Sequence, residues 1–456
     1  MLVKLNTKYL GALLLALPLA QAPALAADTP DTSSPDTSVP LKALHCGHLI
    51  DVEQGRTLGE TTVLVRGERI ENVVHGQAAP ADAQLIDLTH DTCLPGMIDS
   101  HAHLTYQISP SSFSDKIRRN LADFAIASTV YARRTLLAGF TTVRNLGDYG
   151  NESIALRNAV NTGTVPGPRI FAAGVPIGST GGHADPTDGF RADLQGDPGP
   201  KDGIVNSPDD ALKAIRQHYK DGVDVIKIMP SGGALDESRS ADRAQMTLEE
   251  IKAIVATAHD YGFTVAAHAH GAEAIRRAVL GGVDSIEHGT YMNAEDMRLM
   301  KEHGTWFVPT LSPPDYLIGK AKTPGYFSPQ VTEKILHMGN RNQQMARDAY
   351  RAGLKFAFGT DAGVYPHGDN AHEFELMASA GLPPMFCIQS ATINAAQLLE
   401  RERDLGSLAP GKYADIVAVP GDPIDNISLL RHIDFVMKGG AVYKSGGIAT
   451  EPKAAP

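Results

Sequence analysis

The chain has 456 residues, 43% of them hydrophobic and 20% charged, with a formal net charge of −11. This composition is globular, and the length suits one barrel of roughly 250–300 residues plus a smaller appended domain. A negative field repels phosphate backbones and anionic lipid, which argues against nucleic-acid and membrane-surface partners.

At the N-terminus, Lys4 and Lys8 precede an apolar stretch over 9–20, and Ala24-Leu25-Ala26 offers a small-x-small cleavage site. That order predicts a signal peptide over 1–26 and a secreted or periplasmic protein with no membrane insertion after cleavage. The apolar run is shorter than the ~20 residues a membrane-spanning helix needs. Residues 27–40 are polar and proline-punctuated, as in a disordered tether. From 41 to 94 come short β-like runs separated by turns, such as Thr61-Thr62-Val63-Leu64-Val65. Residues 405–446 have the same character, with Asp415-Ile416-Val417-Ala418-Val419 and Phe435-Val436-Met437 as strands. The expected product is a small β-sandwich domain built from both chain ends, followed by a tail at 447–456. None of the three cysteines sits in a C-x-x-C pair, which disfavours a thiolate metal site. Cys46 and Cys93 flank the same predicted sheet, so a bridge and two buried free thiols are both open.

Between these ends, 95–404 alternate strand and helix eight times. The strand candidates are 96–103, 141–146, 169–175, 223–229, 264–270, 285–288, 306–310 and 355–360, and the periodicity predicts helices over 248–259, 272–280 and 332–352 among others. Gly139, Gly222, Gly262 and Gly282 stand just before strands, where a helix ends and the chain turns back. Eight such units in one run predict an α/β chain with a closed (β/α)8 barrel; an open doubly wound sheet is the alternative.

In a barrel the active site lies at the C-terminal ends of the strands, so the residues found there carry the chemistry. The first strand ends in His101-Ala102-His103 and the fifth in His268-Ala269-His270. Alternate residues of a strand face one side, so each pair aims two imidazoles at one pocket, and histidine is a common zinc ligand. The sixth strand ends in Glu287-His288-Gly289, and the eighth leads into Thr360-Asp361-Ala362. Lys227 lies inside the fourth strand, where a bare ammonium is expensive. A neutral amine there captures carbon dioxide as a carbamate, an anion able to bridge two divalent cations; a lysine whose head reaches solvent at the barrel mouth is the competing account. Five of eight strands carrying ligand-type residues point to a metal centre.

The segments L-P-G-M-I-D-S-H-A-H (94–103), V-I-K-I (225–228), V-A-A-H-A-H-G (265–271), I-E-H-G (286–289) and F-G-T-D-A-G (358–363) resemble the amidohydrolase superfamily. Thr180-Gly181-Gly182-His183 together with Lys227 is similar to its imidazolonepropionase-like branch, which includes Xaa-Pro dipeptidases, other carboxypeptidase-like enzymes and ochratoxin-hydrolysing amidases. The resemblance runs from about residue 41 to 443. It implies that His101, His103 and Asp361 hold one metal, that His268 and His288 hold a second, and that N-carboxylated Lys227 bridges the two, most simply as zinc ions. Imidazolonepropionases proper use one metal without the bridging lysine, so Lys227 argues against that activity. His270 and His183 are left as substrate or oxyanion contacts. Tyr291, Arg239 and Arg243 are candidates to hold a substrate carboxylate.

The implied reaction is carboxypeptidase-like release of an amino acid from N-acyl amino acids or dipeptides, with ochratoxin A to ochratoxin α plus phenylalanine as one instance, in a homo-oligomer. Two cations sharing a water supply hydroxide near neutral pH, and Asp361 takes its proton and passes it to the leaving amine. Three other readings stay open: a cyclic-amide or lactone hydrolase on the same metals, a phosphotriesterase-like activity, and a non-enzymatic solute- or metal-binding protein. Simple metal storage does not require Lys227 and Asp361 together, which weighs against the last.

Overall fold

The structure, a computed structural model, describes residues 39–450 except Gln77. The expected signal peptide, nearly all of the tether and the last six residues of the expected tail, 451–456, fall outside the described residues.

The chain begins with β1 (Leu41–Asp51), β2 (Arg56–Leu58), β3 (Thr61–Arg66), β4 (Arg69–His75) and β5 (Gln84–Pro95). After the central region come β13 (Ile416–Pro420), β14 (Phe435–Lys438), β15 (Ala441–Ser445) and β16 (Ile448–Ala449), so the sheet runs past the expected limit at 446. Both ends join one sheet in the order β16-β15-β14-β13-β5-β1-β3-β4, with β2 beside β1. The seam is the antiparallel β13–β5 pairing, with Val417 opposite Leu94. The far edge also curls back. Ile70 N donates to Lys412 O (2.9 Å), and Ala414 N donates to Glu68 O (2.8 Å), so β4 meets the chain entering β13. Apolar side chains of both ends, including Leu44, Val63, Ile70, Ile416 and Phe435, share the core enclosed by this curl. A Cys46–Cys93 disulfide ties β1 to β5.

The central region is made of parallel β/α units. β6 (Met97–Ala102), β7 (Phe140–Asn145) and β8 (Arg169–Ala172) form one parallel sheet. β9 (Ile226–Ile228), β10 (Val265–Ala269), β11 (Ser285–His288) and β12 (Trp306–Val308) form another. Asp224 N donates to Ala172 O (2.8 Å), which links β8 to the entry of β9. The expected strand at 355–360 is not regular. Its backbone bonds go to both sides, with Phe307 N donating to Lys355 O (2.8 Å) and Ser100 N to Phe358 O (2.9 Å), while Phe358 N turns away to Ser390 O (3.0 Å). A residue that gives its N–H to a helical segment cannot continue a ladder, so only isolated bridges remain at Phe356 and Ala362.

The helices follow sequence cues. Leu248–Asp260 starts at a capping box in which Thr247 and Glu250 satisfy each other's backbone N–H, and it buries Ile251, Ile254, Val255 and Ala258 on one face. Ala272–Gly281 ends at Gly282 with φ of 93°, the left-handed cap that suits glycine. The single helix expected over 332–352 is two, Pro329–Met338 and Arg341–Ala352, broken at Gly339 (φ 59°, ψ −155°), a conformation essentially restricted to glycine. Among the described residues, no helix is long and apolar enough to cross a membrane.

Cys46 and Cys93 are 47 residues apart, and Cys387 is free and buried. Replacing the bridged pair with alanine is expected to lower unfolding stability by ~2–4 kcal/mol through loss of the closed loop. Denaturant titration measures this, and thiol titration of unfolded, unreduced protein should find Cys387 alone; reaction of all three cysteines would show that the bridge is absent.

Candidate functional site

Six imidazoles meet at the C-terminal ends of the parallel strands. His101 and His103 come from the end of β6, His268 and His270 from β10, His288 from β11, and His183 from the loop after β8. Ring centroids lie 4.9 Å apart for His101–His288, 4.6 Å for His268–His288 and 4.5 Å for His183–His268. Asp361 Oδ1 lies 3.1 Å from His103 Nε2 and 3.5 Å from His101 Nε2. Lys227 Nζ, 1% exposed, is 3.3 Å from His101 Nε2. The six histidines, Lys227 and Asp361 expected from the sequence are therefore assembled in one place.

Each ring's other nitrogen is held by the protein, and this fixes the chemistry. His101 Nδ1 donates to Glu287 Oε2 (2.8 Å), and His103 Nδ1 to Gly147 O (3.2 Å). In a neutral imidazole the opposite nitrogen is then an acceptor. So His101 Nε2, which lies against Lys227 Nζ, His103 Nε2 and an Asp361 oxygen converge, where a divalent cation would take the lone pairs of all three. Burial disfavours the imidazolium form, pushing His101 down to about 4, His270 to about 3, and His268 and His288 well below the usual range. Neutral imidazoles beside an ionised carboxylate are the ligand forms for a divalent metal. Burial alone would raise the Asp361 carboxyl, but its bond with His103 and the facing His101 hold it below the ordinary value. The donor atoms of His101, His288 and Asp361 all lie within 4.8 Å of one another, so these residues fit a metal.

The supports beneath the site escaped sequence reading. Glu287, fully buried on β11, joins His101 to Arg144 of β7, whose Nη2 donates to its Oε1 (2.9 Å). Arg144 also donates to Ser100 O (2.6 Å) and Ser285 Oγ (3.2 Å), stitching β6, β7 and β11 together. Burial alone would raise the Glu287 carboxyl, yet Arg144 and His101 hold it down to about 2. The available signal was a charged residue inside a strand otherwise suited to full burial, the same signal that marked Lys227. Asp99 ties β6 to the Asp361 turn: it accepts from His101 N (3.1 Å), Thr360 Oγ1 (2.6 Å) and Asn370 Nδ2 (2.8 Å). His288, Thr310 and Asp361 have φ of 70°, 49° and 57°, left-handed backbone at three strand ends. These non-glycine conformations cost about 1–3 kcal/mol each and persist where neighbours over-determine them. His288 Nδ1 and Thr310 Oγ1, 2.7 Å apart, supply one such constraint.

The histidines, Lys227 and Asp361 line a cavity of about 280 Å³ that also carries Tyr106, Phe113, Lys116, Tyr149 and Leu317. Lys116 and Lys227 are its cationic wall residues apart from histidine. Tyr291, Arg239 and Arg243, expected as carboxylate contacts, are not in this wall. Tyr291 instead packs under the Arg341 guanidinium, 5.4 Å from its ring, and its N–H supports His270 O (2.8 Å). Both arginines are exposed.

The family description "Amidohydrolase family" matches residues 92–444. An ochratoxinase of Aspergillus niger is 29% identical over 375 residues, covering 78% of this chain and 76% of that protein. An imidazolonepropionase of a Geobacillus species is 25% identical over 406 residues, covering 80% of this chain and 84% of that protein. A solved Xaa-Pro dipeptidase with methionine bound in its active site is 44% identical, with a TM-score of 0.87, covering 89% of this chain and all of that one.

Glu287→Gln leaves the Arg144 guanidinium buried without its counter-charge, so it is expected to lower stability by ~3–5 kcal/mol. Urea unfolding of the variant against the parent measures this. A loss below ~1 kcal/mol, the scale of a solvated pair, would show that the pair does not support the site.

Proposed function

Since this chain belongs to the amidohydrolase family and is a hydrolase acting on C–N bonds of small molecules, we propose that it is a two-metal amidase that releases a C-terminal amino acid from N-acyl amino acids or dipeptides. The observation that carries this reading is the convergence of acceptor nitrogens on Asp361 beside buried Lys227. Two of the relatives named above support it: a Xaa-Pro dipeptidase, named for dipeptide substrates and seen with methionine in its active site, and an ochratoxinase, named for ochratoxin. The same reading closes the two parallel sheets and 355–362 into one (β/α)8 barrel, treats the curled terminal sheet as the β-sandwich, and places the protein outside the cytoplasm as a homo-oligomer.

His101, His103 and Asp361 would hold one divalent cation, His268 and His288 the other, with Lys227, carboxylated on Nζ, serving both; zinc suits this donor set. When bound, the cations activate water and polarise the scissile carbonyl. Burial lowers the Lys227 amine to about 8 although Glu287 and Asp361 act to raise it, which favours the neutral form able to take up carbon dioxide as a carbamate the site can use. Asp361 accepts the proton of the attacking water and delivers it to the departing amine nitrogen. Thr290 Oγ1, 2.7 Å from His270 Nδ1, orients that ring so that Nε2 faces the carbonyl oxygen as charge develops. Lys116, at the cavity wall on the helix that follows His101 and His103, takes the substrate's free carboxylate.

Zinc-reconstituted protein should release amine from N-acyl amino acids and dipeptides. Lys227→Met is expected to lower metal content and to reduce turnover on the order of 100-fold, at least what loss of an outer-shell partner costs. Metal analysis with turnover per folded chain decides; two tightly held ions and full activity would end the bridging role. Lys116→Met is expected to raise KM for free-acid substrates by about tenfold, the equivalent of one charged hydrogen bond. Carboxamide analogues should be unaffected, and an equal change for both would remove Lys116 from the carboxylate site.

A further inference from the structure

His183 is held more completely than a loop residue requires. Its backbone N donates to Gln245 Oε1 (2.9 Å), and its ring stacks on His268. The other face lies against Gly233, where an added Cβ would come within 2.1 Å of His183 Cε1. His183 Nδ1 donates to Asp236 Oδ2 (2.6 Å). That leaves Nε2 as the ring's free polar atom, and the residue lines the cavity.

Asp236 is itself buried, and its carboxylate is saturated. Oδ2 also accepts from Gly233 N (2.8 Å), and Oδ1 accepts from Ser238 N (2.9 Å), from the Ser238 hydroxyl and from Lys334 Nζ (2.5 Å). Lys334, from Pro329–Met338, directs its other N–H groups to Asp236 O (2.6 Å) and Gly233 O (2.9 Å). Burial alone would raise the Asp236 carboxyl, but His183 and Lys334 hold it far below the usual range. Three separate segments are thus latched together: the loop after β8 brings His183, the loop after β9 brings Asp236, and a helix after β12 brings Lys334.

We propose that Asp236 is a positioning residue that fixes His183 in one tautomer and one rotamer, with Nε2 presented to the substrate and Lys334 supplying the counter-charge that lets Asp236 do so inside the wall. The proposal rests on the amidase reading in that His183 contacts the scissile group. Hydrogen bonds among the three segments would also form in a merely structural latch, but such a latch gains nothing from ending on a ring whose last polar atom faces the cavity.

A double-mutant cycle separates the two roles. In zinc-loaded full-length protein, Asp236→Asn is expected to lower kcat by roughly 10–100-fold, with metal content retained. In a His183→Ala background the same substitution should change kcat less than about twofold, because the group it positions is gone. Equal losses in both backgrounds, or no loss in the parent, would overturn the proposal. Should Asp236→Asn fail to fold, proton NMR of the otherwise native protein labelled with ¹⁵N-histidine still decides. A downfield Nδ1–H resonance, assigned by its disappearance in His183→Ala, is expected, and its absence would overturn the proposal. If the parent protein cleaves no amide, the amidase reading fails on its own, and the resonance still reports whether Asp236 holds His183.

Discussion

Glu287 has no access to water, and a carboxylate in that position persists because Arg144 and His101 take up its charge from two sides. An unpaired ion at such a depth costs several kcal/mol, so the three side chains have to be placed together or not at all. Arg144 also bonds to Ser100 O and Ser285 Oγ, which sets β6, β7 and β11 in register from inside. His101 is turned by the same carboxylate so that Nε2 meets Lys227 and Asp361. The electrostatics of the interior and the geometry of the site are therefore one constraint.

Above that layer, stability gives way to placement. The strands are buried on both faces and contribute core, whereas their last residues adopt backbone that ordinary side chains avoid, at His288, Thr310 and Asp361. The strain is tolerated because each is held from outside its own segment: Asp361 N donates to His101 O at 2.6 Å, and Asp99 gathers Thr360, Asn370 and the His101 backbone. A scaffold of short, buried strands can carry that load, and a loop alone could not.

The mouth is organised differently, by loops that fasten to one another. Lys334 and Asp236 are 98 residues apart, yet they form the tightest ion pair of the cavity rim and orient His183 across it. The helix Ser112–Arg118, which brings Lys116 to the cavity, buries none of its residues. The paired histidines thus sit at buried strand ends, while Lys116 comes from a more exposed element.

Much was legible in the residues themselves. Period-two alternation places His101 with His103 and His268 with His270 on one face whatever the sheet does next, and a lysine inside an apolar strand is anomalous wherever that strand goes. Helix ends were marked locally as well, by Gly222 and Gly282. The partners could not be read in this way. His101 and Glu287 are separated by 186 residues, and nothing near Glu287 says that its carboxylate turns toward a histidine rather than toward solvent. Nearness in sequence puts Arg239, Arg243 and Tyr291 in the pocket, but the loop of the two arginines is fastened at Gly233 and Gln245 by Lys334 and His183 from elsewhere, and Tyr291 packs under Arg341. The regular ladder expected at 355–360 failed for the same reason, since Phe358 gives its N–H to Ser390. Residue type and spacing determine which groups a short segment offers and to which face; which groups meet, and in which protonation, is decided by the burial and pairing that the whole fold imposes.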